Sequence, residues 1–313
     1  MATTHTHVPV MSGEILDALA APLGRPQALA VDATLGLGGH TAALLERYPG
    51  LRLIGIDRDP QALAAARERL APYASRVEFH EATYDQLGSI LAGRRPAAVL
   101  FDLGLSSLQI DSPERGFAYA ADAPLSMRMD GDDTRLTAAD VVGTYTADEL
   151  RRIFRTYGDE PHAARIARAI IEARERAPLT TSAQLVAVVV AAVPAGGRTG
   201  HPAKRVFQAL RVEVNDERGS LERALPQARD ALALGGRLAV LSYHSGEDRF
   251  VKRLFADAAT DQVPPGLAVV PAQLEARFRL VGRGALQPGS DEIARNPRSQ
   301  SARLRVIERV KEA

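Results

Sequence analysis

The stretch Val31–His40, VDATLGLGGH, constrains this chain more than any other. It reads as the end of a buried strand (Leu29, Ala30, Val31), a turn carrying Thr34, Gly36, Gly38 and Gly39, and a helix opening at His40 and Thr41. Glycines at this spacing let the backbone turn tightly and let a ligand approach it closely. The helix behind the turn offers unpaired N–H groups and the positive end of its dipole. A second apolar run, Leu51 to Asp57, ends in a carboxylate. At the tip of the second strand of an open α/β sheet, a carboxylate is placed to accept hydrogen bonds from a ribose diol. Together the turn and Asp57 predict a nucleoside-bearing cofactor lying across the strand ends.

The dinucleotide fingerprint GxGxxG uses its third glycine for close helix–strand packing. Here the glycines are Gly36, Gly38 and Gly39, and the third fingerprint position is Thr41. Asp32, just before the turn, would repel a pyrophosphate but suits the ammonium of a methionine-type tail. The pattern of acid, turn and Gly-x-Gly favours S-adenosylmethionine (SAM) over NAD.

The strand–helix rhythm continues through a third strand, Arg76 to His80, a helix from Tyr84 to Ala92, and a fourth strand, Pro96 to Asp102. Such alternation means a parallel, doubly wound sheet. Ser12 is the expected N-cap of a helix ahead of the first strand. Beyond Gln109 the rhythm stops, and helical spacing alone runs through Thr137–Val142, Ala147–Tyr157, Ala163–Arg176 and Ser182–Val193. Helices follow at Arg205–Val214 and Glu217–Leu234, then a fifth strand, Arg237 to Tyr243. Arg277–Val281 and Arg303–Val310 complete the sheet, the latter as an antiparallel edge strand. The expected fold is therefore an α/β Rossmann-like, mostly parallel sheet with one antiparallel edge strand. Residues 1–108 and 201–313 form the SAM-binding domain, and 109–200 an inserted helical subdomain.

Composition narrows the classes. No Cys excludes disulfides, thiolate metal sites and a Cys nucleophile. A formal net charge of +1 gives no global signal for nucleic acid, so RNA binding must rest on local patches. The longest apolar run, Leu185–Val193, is too short to span a bilayer, and MATTHTH lacks a signal-peptide core. A cytoplasmic protein is expected, with no metal.

Asp102 sits at the carboxyl end of the fourth strand, where open sheets bind ligands. It can accept a hydrogen bond from an amine substrate or from the cofactor, or merely cap a turn. Arg115 and Arg128 lie in loops that mix charged and apolar residues; they can staple the loop or meet RNA phosphate. Asn215, ending the helix of Lys204, Gln208 and Arg211, can cap it or read a base edge. His244, after the fifth strand, stands at the same rim as Asp102.

These residues resemble the bacterial RsmH (MraW) family of SAM-dependent methyltransferases. The likeness runs from about His7 to Val306 through HVPVM, DATLGLGGH, GIDRDPQAL, DLGLSSLQID, ERGF, MRMD, HPAKRVFQALRVEVNDE, HSGEDR and NPRSQSARLRV. It implies methylation of a cytosine exocyclic amine at a decoding-site cytidine of 16S rRNA, in the small ribosomal subunit. It also implies cofactor contacts at Gly38, Gly39, His40, Asp57, Tyr84, Asp102 and Gln109, with Tyr84 an aromatic that can pack on adenine. Ser126, Gly246 and Asp159-Glu160 depart from the family's usual residues.

A cytosine amine is a poor nucleophile because its lone pair is delocalised into the ring. An acceptor for its N–H, with close alignment, helps. Asp102, Asn215 and His244 are the candidates for that role. Competing readings are a methyltransferase of another nucleic-acid amine, a dehydrogenase (disfavoured by Thr41) and a non-catalytic rRNA-binding assembly factor. Either a monomer or a homodimer fits the sequence.

Overall fold

Apolar residues alternate between the two faces of five parallel strands, and that alternation organises the computed structural model. It describes residues 9–110, 112–130, 135–194, 200–261, 271 and 273–312; the N-terminal HV of HVPVM lies outside these. In chain order the elements begin with α1 (Ser12–Ala18), α2 (Ala20–Leu23), β1 (Leu29–Asp32), α3 (Gly39–Arg47), β2 (Arg52–Asp57), α4 (Pro60–Arg69), β3 (Val77–Glu81), α5 (Leu87–Leu91) and β4 (Ala98–Asp102). Next come α6 (Ser107–Ile110), α7 (Ala138–Thr144), α8 (Ala147–Gly158), α9 (Ala163–Arg174), α10 (Ser182–Ala192) and α11 (Lys204–Val214). The chain closes with α12 (Glu217–Ala231), β5 (Arg237–Ser242), α13 (Ser245–Ala258), β6 (Phe278–Leu280), α14 (Ser290–Arg295) and β7 (Arg303–Arg309). Two units result: Met1–Gly104 with Leu221–Ala313, and Leu105–Ser220.

The first unit holds one sheet of order β3-β2-β1-β4-β5-β7-β6. Ala30, Leu53, Leu100 and Leu241 enter the core on one face. Val31, Ile54, Val99, Phe101 and Val240 enter the core on the other. Strands covered on both faces read as continuous apolar runs, so β4 and β5 are legible as AVLF and LAVL. Strands β1 to β5 pair in parallel, and β7 pairs antiparallel with both β5 and β6. Thus β7 is the antiparallel strand that was expected, but β6 covers it and takes the edge. Leu304 and Ile307 of β7 lie in opposite cores, as an interior position requires.

Local differences have physical causes. Ser12 is the first helical residue of α1, and Met11 is its cap, at φ 51° without a side-chain capping bond. The Met11 N–H is instead taken by Glu292 Oε1 at 2.7 Å. The expected helix from Tyr84 splits into a single 3₁₀ turn, Tyr84–Gln86, and α5.

The second unit is helical. Thr137, Thr146 and Thr181 form capping boxes with Asp140, Glu149 and Gln184, which fix the starts of α7, α8 and α10. Phe154, Ile166, Leu185, Phe207 and Leu210 share its core. Sequence places the return to the sheet domain at residue 201; the division instead falls after Ser220, because the apolar face of α11 packs within this unit. Part of the PAGGRTGH return, residues 195–199, lies outside the described residues.

Gly158 lets α8 and α11 touch: a Cβ there would stand 2.5 Å from the Arg205 carbonyl oxygen. Gly158→Ala is expected to destabilise the protein by about 1–3 kcal/mol, the usual range for forced overpacking. A urea unfolding midpoint equal to wild type would contradict that.

Candidate active site

The carboxyl ends of β1, β2 and β4 each carry an aspartate: Asp32, Asp57 and Asp102. They lie on one rim because the strands run parallel, and β5 adds Ser242 and then Tyr243.

Between β1 and α3 the backbone makes the expected tight turn. Leu35 N–H donates to Ile56 O at 2.9 Å, and Gly38 N–H to Leu35 O at 2.8 Å. Gly36 and Gly38 have φ 52° and 73°, a region costly for residues with a Cβ. Gly38 caps α3 with no side-chain bond to its first N–H groups. At Gly39 a Cβ would meet Pro9 Cγ at 2.6 Å, so the segment before α1 packs directly on the turn.

Asp57 ties this turn to β2. Its Oδ2 accepts from Gly36 N–H at 2.7 Å and its Oδ1 from Asp59 N–H at 2.9 Å. Each oxygen keeps a lone pair for a further donor. Burial is the largest influence on the carboxyl and raises its pKa.

Asp32 is 1% exposed. Its Oδ2 accepts from Thr41 Oγ1 at 2.8 Å, and Oδ1 accepts a longer bond from Thr34 N–H at 3.3 Å. Desolvation dominates and pushes its pKa up to about 6, against the lowering influences of His40 and these two bonds.

Asp102 is held from several sides. Its N–H donates to Thr34 Oγ1 at 2.6 Å, and Tyr243 Oη donates to its Oδ1 at 2.9 Å. His40 Nε2 stands 3.3 Å from its Oδ2, an ion-pair distance without hydrogen-bond alignment. His40 is 7% exposed, and its Nε2 has no hydrogen-bond partner among the described residues. A buried polar atom in that condition calls for a ligand or water. Tyr84, on the turn after β3, sets its ring edge-to-face with Phe101 at 5.7 Å.

His244 is the N-cap of α13. Its Nδ1 accepts from Glu247 N–H at 3.4 Å, while Nε2 lies 3.1 Å from Glu247 Oε1. Both ring nitrogens thus face the cap.

In the second unit Gln109 is 4% exposed; its Oε1 accepts from Ser106 N–H at 3.1 Å. Asn215, 2% exposed, holds the MRMD loop: Oδ1 accepts from Met129 N–H at 2.9 Å, and Nδ2 donates to Met127 O at 2.7 Å and Arg211 O at 2.8 Å. It braces Met127 at φ 58°. Arg128 Nη1 donates to Arg135 O, and Arg115 Nη1 to Met129 O, so both arginines staple loop backbone.

Sequence reasoning named Thr34 and Thr41 without the bonds they make to the rim aspartates, and gave Tyr243 no role. Their signal was position alone, since each follows a strand tip within the stretches already singled out. No cluster of metal-ligating side chains occurs among the described residues.

A Gly-rich turn, a bare helix N-terminus and three aspartates along one parallel rim define a Rossmann-like methyltransferase sheet. The MraW methylase family matches residues 4–310, and this chain belongs to that family of SAM-dependent methyltransferases. It is 54% identical over 311 residues to ribosomal RNA small subunit methyltransferase H of Thermobifida fusca (strain YX), covering 98% of this chain and 94% of that one. It is 55% identical over 310 residues to the same-named protein of Frankia alni (strain DSM 45986 / CECT 9034 / ACN14a), covering 97% and 95%. Among solved structures, an rRNA methylase from Streptococcus thermophilus matches with a TM-score of 0.45 at 15% identity, covering 98% of this chain and 100% of that one.

Proposed function

We propose that this protein methylates the exocyclic N(4) amine of a cytidine in the decoding region of 16S rRNA, within the small ribosomal subunit in the cytoplasm. The substrate reading is supported by the names of the relatives and by the motif series through NPRSQSARLRV.

Bound SAM supplies an electrophilic methyl group on its sulfonium. The site fits that cofactor in three respects. Asp32 offers a buried carboxylate for an ammonium. Asp57 keeps lone pairs for a diol. His40 Nε2 is a buried polar atom awaiting a partner. Gly38 leaves the first N–H groups of α3 without a side-chain cap, and Tyr84 supplies an aromatic face for the adenine.

One observation carries the assignment of the reacting group. Asp102 is a carboxylate at the β4 tip whose side chain is 26% exposed, so it meets both the buried rim and solvent. An acceptor there takes a hydrogen bond from the amine N–H and concentrates the nitrogen lone pair toward the methyl group. Formal deprotonation need not come first. His244 has both ring nitrogens committed to the α13 cap, and the Asn215 amide is committed to backbone. Of the three candidates, Asp102 is the acceptor and Asn215 shapes the MRMD loop. The target base must be unpaired or flipped out to be reached.

Asn215→Ala is expected to cost about 2–3 kcal/mol, because it strips partners from buried backbone groups. An unchanged thermal midpoint would contradict the bracing role. No helix among the described residues is long and apolar enough to cross a membrane.

The test uses the purified protein with methyl-labelled SAM and separate acceptors: small subunits lacking the modification, naked 16S rRNA and single-stranded DNA. Label in subunit or rRNA supports the proposal. Label confined to DNA overturns the substrate class.

A further inference from the structure

We propose that Tyr243 is a positioning residue for methyl transfer, acting through Asp102; the proposal rests on Asp102 being the acceptor of the substrate amine. Tyr243 is the first residue beyond β5, and the parallel β4–β5 register sets Asp102 beside Leu241. That register carries the phenol to the carboxylate, where Oη donates to Oδ1 at 2.9 Å. The bond does more than satisfy a polar atom. The last torsion of an aspartate is broad when free, and a donor fixed to one oxygen selects one orientation of the carboxyl plane. With the Asp102 N–H given to Thr34 Oγ1, backbone and side chain are held from β1's turn and from β5 together. With Oδ1 held by Tyr243, the position of Oδ2 is fixed too, 3.3 Å from His40 Nε2.

Tyr243 is itself anchored. Its N–H donates to Glu247 Oε2 at 2.9 Å, and its ring packs among the residues of one sheet face, in contact range of Gly104. Burial, with Asp102 next in weight, drives the phenol pKa well above its ordinary value. The hydroxyl therefore stays a neutral donor throughout the range in which the protein works.

A purely structural tyrosine and a positioning one part company in a double-mutant cycle. Tyr243→Phe keeps the ring and removes only the donor. The expected result is a single-turnover rate lower by about tenfold, the scale of one hydrogen bond to a charged group. KM for small subunits, SAM affinity by calorimetry and the thermal midpoint should match wild type. In an Asp102→Asn background the same change should cause no further loss, because the tyrosine acts only through the carboxylate. A wild-type rate in Tyr243→Phe, or an equal loss in both backgrounds, overturns the inference. Wild-type protein that leaves every rRNA acceptor unlabelled would instead overturn the reading of the reaction, and this inference with it.

Discussion

Asp102→Asn is expected to lower single-turnover methyl transfer by about two to three orders of magnitude, the range for removing a positioned acid–base or electrostatic group. The substitution is nearly isosteric. Its amide can still meet Tyr243 Oη, and the backbone bond to Thr34 Oγ1 is untouched. Stability should therefore stay within about 0.5 kcal/mol of wild type. What changes is the sense of the hydrogen bonds: one accepting oxygen becomes a donor, and the negative charge facing the developing positive charge on nitrogen is lost. SAM affinity should fall by less than tenfold, so the loss appears in the rate at saturating cofactor. A variant with wild-type rate and affinity would remove Asp102 from the chemistry.

The second large effect concerns Asp32. In the free protein its carboxyl titrates at about 6, because desolvation outweighs the His40, Thr41 and Thr34 influences, while Asp102 adds a small push upward. An ammonium beside it favours the charged form, so SAM binding expels the proton. Affinity for SAM should climb between about pH 5 and pH 7 and then level off. Asp32→Asn should flatten that rise and weaken binding at least about tenfold, the scale of a lost charge-assisted contact. Stability of the free protein moves the other way. The folded value lies above the ordinary 3.8, so the group's contribution is fully present below about pH 4 and lost as pH rises through about 6. That difference is worth roughly 3 kcal/mol at neutral pH. Asp32→Asn should therefore be at least as stable as wild type at about pH 8 while binding SAM poorly. Weak binding accompanied by unfolding would show that Asp32 serves the fold rather than the cofactor.

The aspartates at the rim were legible because each ends a continuous apolar run, and buried parallel strands announce themselves that way. The turn was legible because glycine spacing encodes backbone geometry that other residues resist. Strand order beyond β5 was not legible. Whether Arg303–Arg309 or Phe278–Leu280 takes the edge depends on pairing between distant segments, and both read as short strands. The boundary after Ser220 was hidden for a related reason: Phe207 and Leu210 announce an apolar face on α11 but not which helices it meets. His244 drew attention through its chemistry, while its neighbour Tyr243 reaches Asp102. The capping box that occupies His244 depends on Glu247 three residues on, a pairing visible in sequence only once the helix start is known. Asn215 posed the same difficulty, since a buried amide that braces a loop carries the same residue type as one that reads a base.

The most direct measurement is nucleoside analysis of small-subunit rRNA after methyl transfer from labelled SAM by this protein, with subunits prepared from cells lacking it. The predicted result is label in N(4)-methylated cytidine at a single position of the decoding region, lost with Asp102→Asn. Label on a cytosine ring carbon or on ribose would contradict the account, because an acceptor carboxylate for an exocyclic amine has no part in those reactions.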